Sequence, residues 1–295
     1  MPAHAPPRVR KNSFGTTWRA HLRQLLAAAA IAALFAPMRA SADQPVRASG
    51  TGTALGAMRR LGAAFEKASP GDRLAILPSV GSGGAVKAVA QGALDVGLVG
   101  RPLDGGEQAL GLVALPYART PFVFVAGPRA RATGITTEEA VRIYRGEMSH
   151  WPSGERVRLI LRPRADVDNL ILKSISPELG AAVEAAFSRD GMLVASTNQE
   201  CDAMAAKTPG ALAPSSLTQI VAEGEPLAPL AWNGVAPTLA NLASGAYPLE
   251  KTLRVVVRAS PRGAVRRFVA FLASPEAQKI LADAGSLPVP IQLPH

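Results

Sequence analysis

Short apolar segments alternating with amphipathic stretches predict an α/β architecture built on largely parallel sheets. Strand-length apolar runs recur at residues 75–77, 95–100, 121–126 and 157–161. Between them lie segments whose apolar residues fall three and four positions apart, the spacing of one helix face. No long linker, repeat or low-complexity tract breaks the alternation.

Taken in order, the first helix is expected over about 54–67, with Leu55, Met58, Leu61 and Phe65 on one face. Strand 75–77 leads into a turn, Gly81-Ser82-Gly83-Gly84, and a short helix over 85–91. Residues 95–100 read as a buried strand and 121–126 as the longest apolar one. Thr136-Thr137-Glu138-Glu139 has the form of a capping box, in which Thr136 and Glu139 satisfy each other's free amides. It opens a helix carrying Val141, Ile143 and Tyr144, which Gly146 stops. Strand 157–161 follows, and residues 169–174 open another helix. Ser260-Pro261 starts a helix through Phe268 and Phe271, and Ser274-Pro275 starts one that ends at Gly285.

The N-terminus reads as a targeting segment. Residues 1–24 carry Arg8, Arg10, Lys11, Arg19 and Arg23 and no acid. An apolar core over 25–35 follows, then Ala40-Ser41-Ala42, the pattern of a signal peptide cleaved after Ala42. The apolar run is shorter than the about 20 residues that span a bilayer. No cysteine sits at the cleavage site, so a lipid anchor and membrane insertion are not expected. Cleavage leaves 253 residues and, by removing six basic residues, takes the formal charge from +10 to +4. That balance suits a small anionic ligand. Nucleic acid is not expected as a partner, because no basic run with interleaved aromatics occurs. The single cysteine, Cys201, has no partner for an internal disulfide and reads as a buried small apolar residue.

Three loop-to-helix junctions carry the chemistry: residues 49–53, 82–84 and 162–169. The first reads Ser49-Gly50-Thr51-Gly52-Thr53 immediately before the first helix. A helix start exposes unpaired N–H groups and the positive end of the macrodipole. Glycines allow close approach and hydroxyls add neutral donors, which together make a seat for an oxyanion. In open α/β sheets ligands collect beyond the carboxyl ends of the strands, where such junctions converge. Hydrogen bonds to a charged group contribute roughly 1.5–3 kcal/mol each. Four or five therefore cover the roughly 8 kcal/mol of a micromolar site after association costs.

Enzyme classes find little material. Beyond residue 42 the only histidines are His150 and His295, too few for a His-based triad or a zinc site. The glycine spacing is wrong for a dinucleotide fingerprint, and no G-x-S-x-G or P-loop occurs. No metal or cofactor is expected. Trp151 and Trp232 read as packed side chains, and two Trp with three Tyr make a poor aromatic lining for a sugar.

Three stretches carry a resemblance. GSGGAVKAVAQGALDVGLVGRPL (81–103), TTEEAVRIYRGEMSHW (136–151) and NGVAPTLANLASGAYPLEKTL (233–253) resemble the phosphate-type (PstS-like, type II) periplasmic substrate-binding proteins of ABC transporters. With ASGTGT they cover nearly all of residues 46–290. The resemblance implies a two-lobed periplasmic protein, each lobe a mostly parallel sheet flanked by helices, joined by two crossing strands. The crossings fall near 121–126 and 247–257, which assigns 43–123 and 251–295 to lobe 1 and 124–250 to lobe 2. It implies a monomer that closes around an oxyanion such as phosphate and delivers it to an ABC permease in the inner membrane. The family's first binding loop maps onto Gly50, Thr51, Gly52 and Thr53. Its second maps onto Ser82, with Gly83 and Gly84 supplying backbone. The position after the second strand, often an acid in phosphate binders, is Gly100-Arg101 here, and Arg101 is implied as an anion ligand. The family's Arg-x-x-x-Ser-Gly-Thr motif matches in part, through Arg162 and Arg164; the Ser-Gly-Thr is absent and the chain reads Asp166-Val167-Asp168-Asn169. Asp168 reads as the N-cap of its helix or as a ligand. Two carboxylates there repel a dianion unless they accept its proton or pair with Arg162 or Arg164. Two alternatives stay open: a sensor or adaptor that keeps this fold and regulates a membrane partner, and a receptor for a different anion.

Overall fold

The computed structural model describes residues 44–292, so the expected signal peptide lies outside the described residues. The chain runs β1 (Val46–Gly50), α1 (Gly52–Ala68), β2 (Leu74–Ile76), α2 (Gly81–Ala90), β3 (Val96–Val99), α3 (Gly105–Gln108) and the long β4 (Leu112–Ala126). It continues through β5 (Gly134–Ile135), α4 (Thr137–Arg145), β6 (Arg158–Leu161), α5 (Val167–Ile175), α6 (Pro177–Ala186), β7 (Leu193–Val194) and α7 (Asn198–Lys207). Then come β8 (Ala211–Ser216), α8 (Leu217–Glu223), β9 (Ala231–Trp232), α9 (Leu239–Ser244), β10 (Glu250–Arg258), α10 (Gly263–Phe271), α11 (Pro275–Asp283) and β11 (Leu287–Pro288).

Among the described residues the main sheet has the order β2-β1-β3-β10-β4-β8-β6-β7, with β11 also on β4. Its two ends are parallel: β1 pairs with β2 and β3, and β6 with β7 and β8. Its middle is antiparallel, through β3-β10, β10-β4 and β4-β8. Parallel pairing therefore describes the ends and not the centre. The chain leaves the first end along β4 and comes back along β10, so Glu250 faces Pro121 and Arg258 faces Leu112. Strands that carry a chain out and back must run in opposite directions.

Each end has its own apolar core, which makes two lobes. In the first, the predicted face of α1 (Leu55, Met58, Leu61, Phe65) is fully buried with Val96, Leu98, Phe268 and Leu281. Phe65 meets Phe268 edge-on at 5.3 Å, and each such buried side chain contributes roughly 1.5–3 kcal/mol. In the second, Ile143 and Tyr144 of α4 pack with Leu161, Leu172, Val183 and Trp232. Trp232 stacks on Phe124 at 5.6 Å, and the Trp151 indole donates to Gly210 O at 2.8 Å. Both tryptophans are packing residues, and Cys201 is buried with its sulfur 3.5 Å from Pro214 O.

The local signals act largely as read. Thr136 and Glu139 form the capping box, and Gly146 ends α4 at φ 82°. Ser274 caps α11 with Pro275 in its first turn. Two readings are corrected. The expected turn at Gly81-Ser82-Gly83-Gly84 is the first turn of α2, because Gly81 reverses the chain at φ 67° and its successors are already helical. The helix expected from Ser260-Pro261 begins at Gly263, since Arg262 is still extended.

A buried carboxylate knits the second lobe. Asp202 of α7 accepts through Oδ2 from Ser215 Oγ of β8 at 3.0 Å and from Gln219 Nε2 of α8 at 2.7 Å, while Oδ1 has no hydrogen-bond partner. Burial, added to by the charges of Glu225, Asp168 and Glu223, pushes its pKa up to about 7. The folded value lies above the unfolded one, so the protonated group stabilises the fold below about pH 4, and that stability is lost as pH rises to about 7. Asp202→Asn is expected to raise stability at about pH 8 by on the order of 2 kcal/mol and to add nothing at about pH 4. Thermal unfolding across that range measures it.

Candidate functional site

The first lobe brings α1 to the site through two close approaches. Gly50 runs so near β3 that a Cβ there would lie 1.9 Å from Leu98 O, and Thr51 N donates to that oxygen at 2.8 Å. Thr51 is the N-cap of α1 and its side chain makes no cap bond. At Gly52 the N-terminal turn of α7 from the second lobe packs down: a Cβ would meet Gln199 Oε1 at 2.3 Å, and Gln199 Nε2 donates to Gly52 O at 3.0 Å. Only glycine fits between these surfaces.

Ser82, in the first turn of α2, accepts from Gly100 N at 3.1 Å and so fastens the loop after β3 to that helix start. Gly83 and Gly84 lie beside it in the same turn. Gly100 rests on the hydrocarbon stem of Lys251, where a Cβ would lie 3.4 Å from Lys251 Cδ. Lys251 sits on β10 where that strand passes between the lobes, opposite Thr120 of β4.

In the second lobe, Asp166 and not Asp168 is the N-cap of α5: Asp166 Oδ1 accepts from Asp168 N at 2.9 Å. The correction follows from register, since α5 starts at Val167, which places Asp168 inside the first turn. The Asp168 side chain instead turns inward, with no exposure to solvent. Its Oδ1 accepts from Lys251 Nζ, and its Oδ2 accepts from Asn198 Nδ2 at 3.3 Å and lies 3.6 Å from Arg162 Nε. Arg162, 2% exposed, donates through Nη1 to Ala195 O at 2.5 Å and through Nη2 to Asp166 Oδ2 at 2.9 Å; its Nε makes no hydrogen bond. Lys251, 1% exposed, also donates to Thr53 Oγ1 at 3.2 Å and lies 5.6 Å from the centre of the Phe122 ring.

The buried cluster is thus two cations against two carboxylates, drawn from both lobes and a crossing strand. Burial is the main cause raising the Asp166 pKa, and the Asp168 charge adds to it; Arg162 and Lys251 oppose both.

Of the residues singled out from sequence, Arg162 and Asp168 face each other, and Thr53 joins them through Lys251. Ser82 is connected to Lys251 through Gly100, Gly50 and Gly52 pack against Leu98 and Gln199, and no contact brings Gly83 or Gly84 to the cluster. Arg101 and Arg164 are engaged elsewhere. Arg101 grips both oxygens of Glu107 at 2.6 Å, which holds Glu107 below the usual carboxylate range. Arg164 pairs with Glu184 and covers the Phe187 ring at 4.5 Å, on the outer surface of the second lobe. Sequence reading did not single out Lys251 or Asn198. Lys251 did carry a signal: it shares strand phase with Leu253, Val255 and Val257, so an ionisable group stands where β10 buries its side chains. Asn198 carried none, because only the fold brings α7 to this place.

The description PBP superfamily domain matches residues 36–276. The chain belongs to the PBP superfamily. It is 25% identical over 216 residues to the phosphate-binding protein PstS of Bacillus subtilis strain 168, covering 71% of this chain and 69% of that protein. Among solved structures it is similar to a Clostridium perfringens substrate-binding protein with bound phosphate, at TM-score 0.71 and 18% identity, over 83% of this chain and 100% of that one. An ABC-type phosphate transport receptor from Vibrio cholerae aligns at TM-score 0.59 and 18% identity, over 82% and 99%. These structural likenesses establish the two-lobed fold of this PBP-superfamily chain.

Removing one member of a buried ion cluster leaves the others unpaired. Lys251→Met is expected to cost about 3–5 kcal/mol in urea unfolding. Lys251→Met combined with Asp168→Leu is expected to recover most of that loss, because both charges then leave the interior.

Proposed function

We propose that this protein is an exported, periplasmic substrate-binding protein that takes phosphate or a similar small oxyanion between its lobes and presents it to an ABC permease. The observation that carries the reading is that buried Lys251 bonds Thr53 at the start of α1 and Asp168 of α5, which Arg162 faces, while its stem lies against Gly100. Donors from both lobes let closure exclude water and strengthen each charge-assisted bond. The likeness to phosphate-binding proteins points to the same ligand class. Lobe boundaries at 123/124 and 250/251 fit this reading, since β4 and β10 are the strands shared by both lobes. Capture rather than turnover fits the donor set, and burial raises the Cys201 thiol pKa, which suits packing. Among the described residues no helix is long and apolar enough to cross a membrane.

A second reading, a sensor or adaptor that regulates a membrane partner, is favoured by one observation: Asp168 and Asp166 already engage the two site cations. Isothermal titration of the purified protein against phosphate, sulfate, molybdate and tungstate separates the two. One-site binding of one of these anions is expected, and Ser82→Ala is expected to weaken it by about 1–3 kcal/mol. No heat with any of the four, from the native chain or from Asp168→Ala, would refute oxyanion capture and leave the sensor reading.

A further inference from the structure

The contact between Lys251 Nζ and Asp168 Oδ1 spans the cleft. Lys251 stands on a crossing strand and is bonded on its other side to Thr53 of α1, in the first lobe. Asp168 belongs to α5, in the second lobe, and is further tied to Asn198 and faced by Arg162 Nε. A carboxylate is itself a small oxyanion: planar, singly charged and able to accept at both oxygens. At the base of the cleft it receives what a captured anion would receive, namely an ammonium, an amide and the flank of a guanidinium.

We propose that Asp168 is a built-in ligand: its carboxylate occupies the anion seat, draws the lobes together in the absence of free oxyanion, and must be displaced before one binds.

Three observations support this. First, the local charge closes on itself, since Arg162 and Lys251 are matched by Asp166 and Asp168. A phosphate dianion entering an unchanged cluster would leave uncompensated negative charge in a buried place, which is costly. Second, Arg162 and Lys251 are almost wholly buried, so an incoming anion reaches neither until the lobes part. Third, the lobes touch closely beside the cluster. A Cβ on Gly56 would lie 2.9 Å from Ala222 Cβ, and Arg60 Nη2 donates to Ala222 O at 2.6 Å. These contacts join α1 to α8 near the end of α1 that carries Thr53.

The inference deepens the proposed function by naming what sets affinity at that site, and it rests on that reading for the identity of the competing anion. Two measurements on the purified protein test it. The first is the radius of gyration from solution scattering in anion-poor buffer. The native chain is expected to be compact and to change little when inorganic phosphate is added. Asp168→Ala is expected to be expanded and to become compact with phosphate. The second is calorimetric titration with phosphate, in which Asp168→Ala is expected to bind at least tenfold more tightly than the native chain. Asp168→Asn keeps the side-chain volume and is expected to tighten binding in the same direction if the alanine variant folds poorly.

A native chain that is expanded without anion, or variants that bind phosphate no more tightly than a native chain that itself binds well, would overturn the inference and leave oxyanion capture standing. Expansion of Asp168→Ala with no response to phosphate in any form would uphold the internal ligand and refute oxyanion capture.

Discussion

The buried pairing of Lys251 with Asp168, backed by Arg162, is the interaction on which the arrangement of this molecule depends. Ionised groups are admitted to a protein interior only when their charges and hydrogen-bonding capacity are met there. Here they are met by residues that no single lobe contains. Lys251 comes from a crossing strand, Thr53 from the first lobe, and Asp168, Asn198 and Arg162 from the second. Separation of the lobes would break the pairing across the cleft and expose both ions to water, so cleft geometry and cluster integrity are one equilibrium.

The frame around that cluster follows from the mixed sheet. Parallel ends place helix starts beyond the carboxyl edges of their strands, so α1, α2 and α5 begin after β1, β2 and β6. The antiparallel centre supplies two long strands that belong to both lobes. Hydroxyl contacts reinforce the crossing: Thr218 N donates to Thr120 Oγ1 at 3.0 Å, and Thr218 Oγ1 donates to Gly285 O at the same distance. These tie α8 and the C-terminal segment to β4 at the point where the lobes join.

The site is electrostatically unlike a plain anion cradle. Its cations are compensated from within, and the two arginines that sequence alone makes attractive, Arg101 and Arg164, are each bound to a glutamate. Arginine readily finds a bidentate carboxylate when one lies within reach. Glu107 lies six positions beyond Arg101 and meets it across the tight turn leading into α3. Proximity in the folded chain thus supplied Arg101 with a partner that residue type did not point to.

Much of the fold was legible without coordinates because its signals are local. The capping box at Thr136 and Glu139, the Gly146 stop and the apolar face of α1 each depend on residues within a turn or two of one another. The region between α5 and β9 was less legible. Its strands β7 and β8 are short or interrupted by Pro214, and helix α7 has a weak apolar face, so no strong period marks them. In the candidate site, helix starts, Ser82 and Arg162 carried signals in residue type and spacing. By itself, the sequence determined an alternating α/β chain with glycine-rich helix starts, since hydrophobic period and capping act over a few residues. Only the tertiary structure decided that Asp168 points inward, that Asp166 takes the cap, and that Lys251 stands between them. Those outcomes depend on charges more than eighty positions apart meeting where water is excluded, a condition that no local pattern encodes.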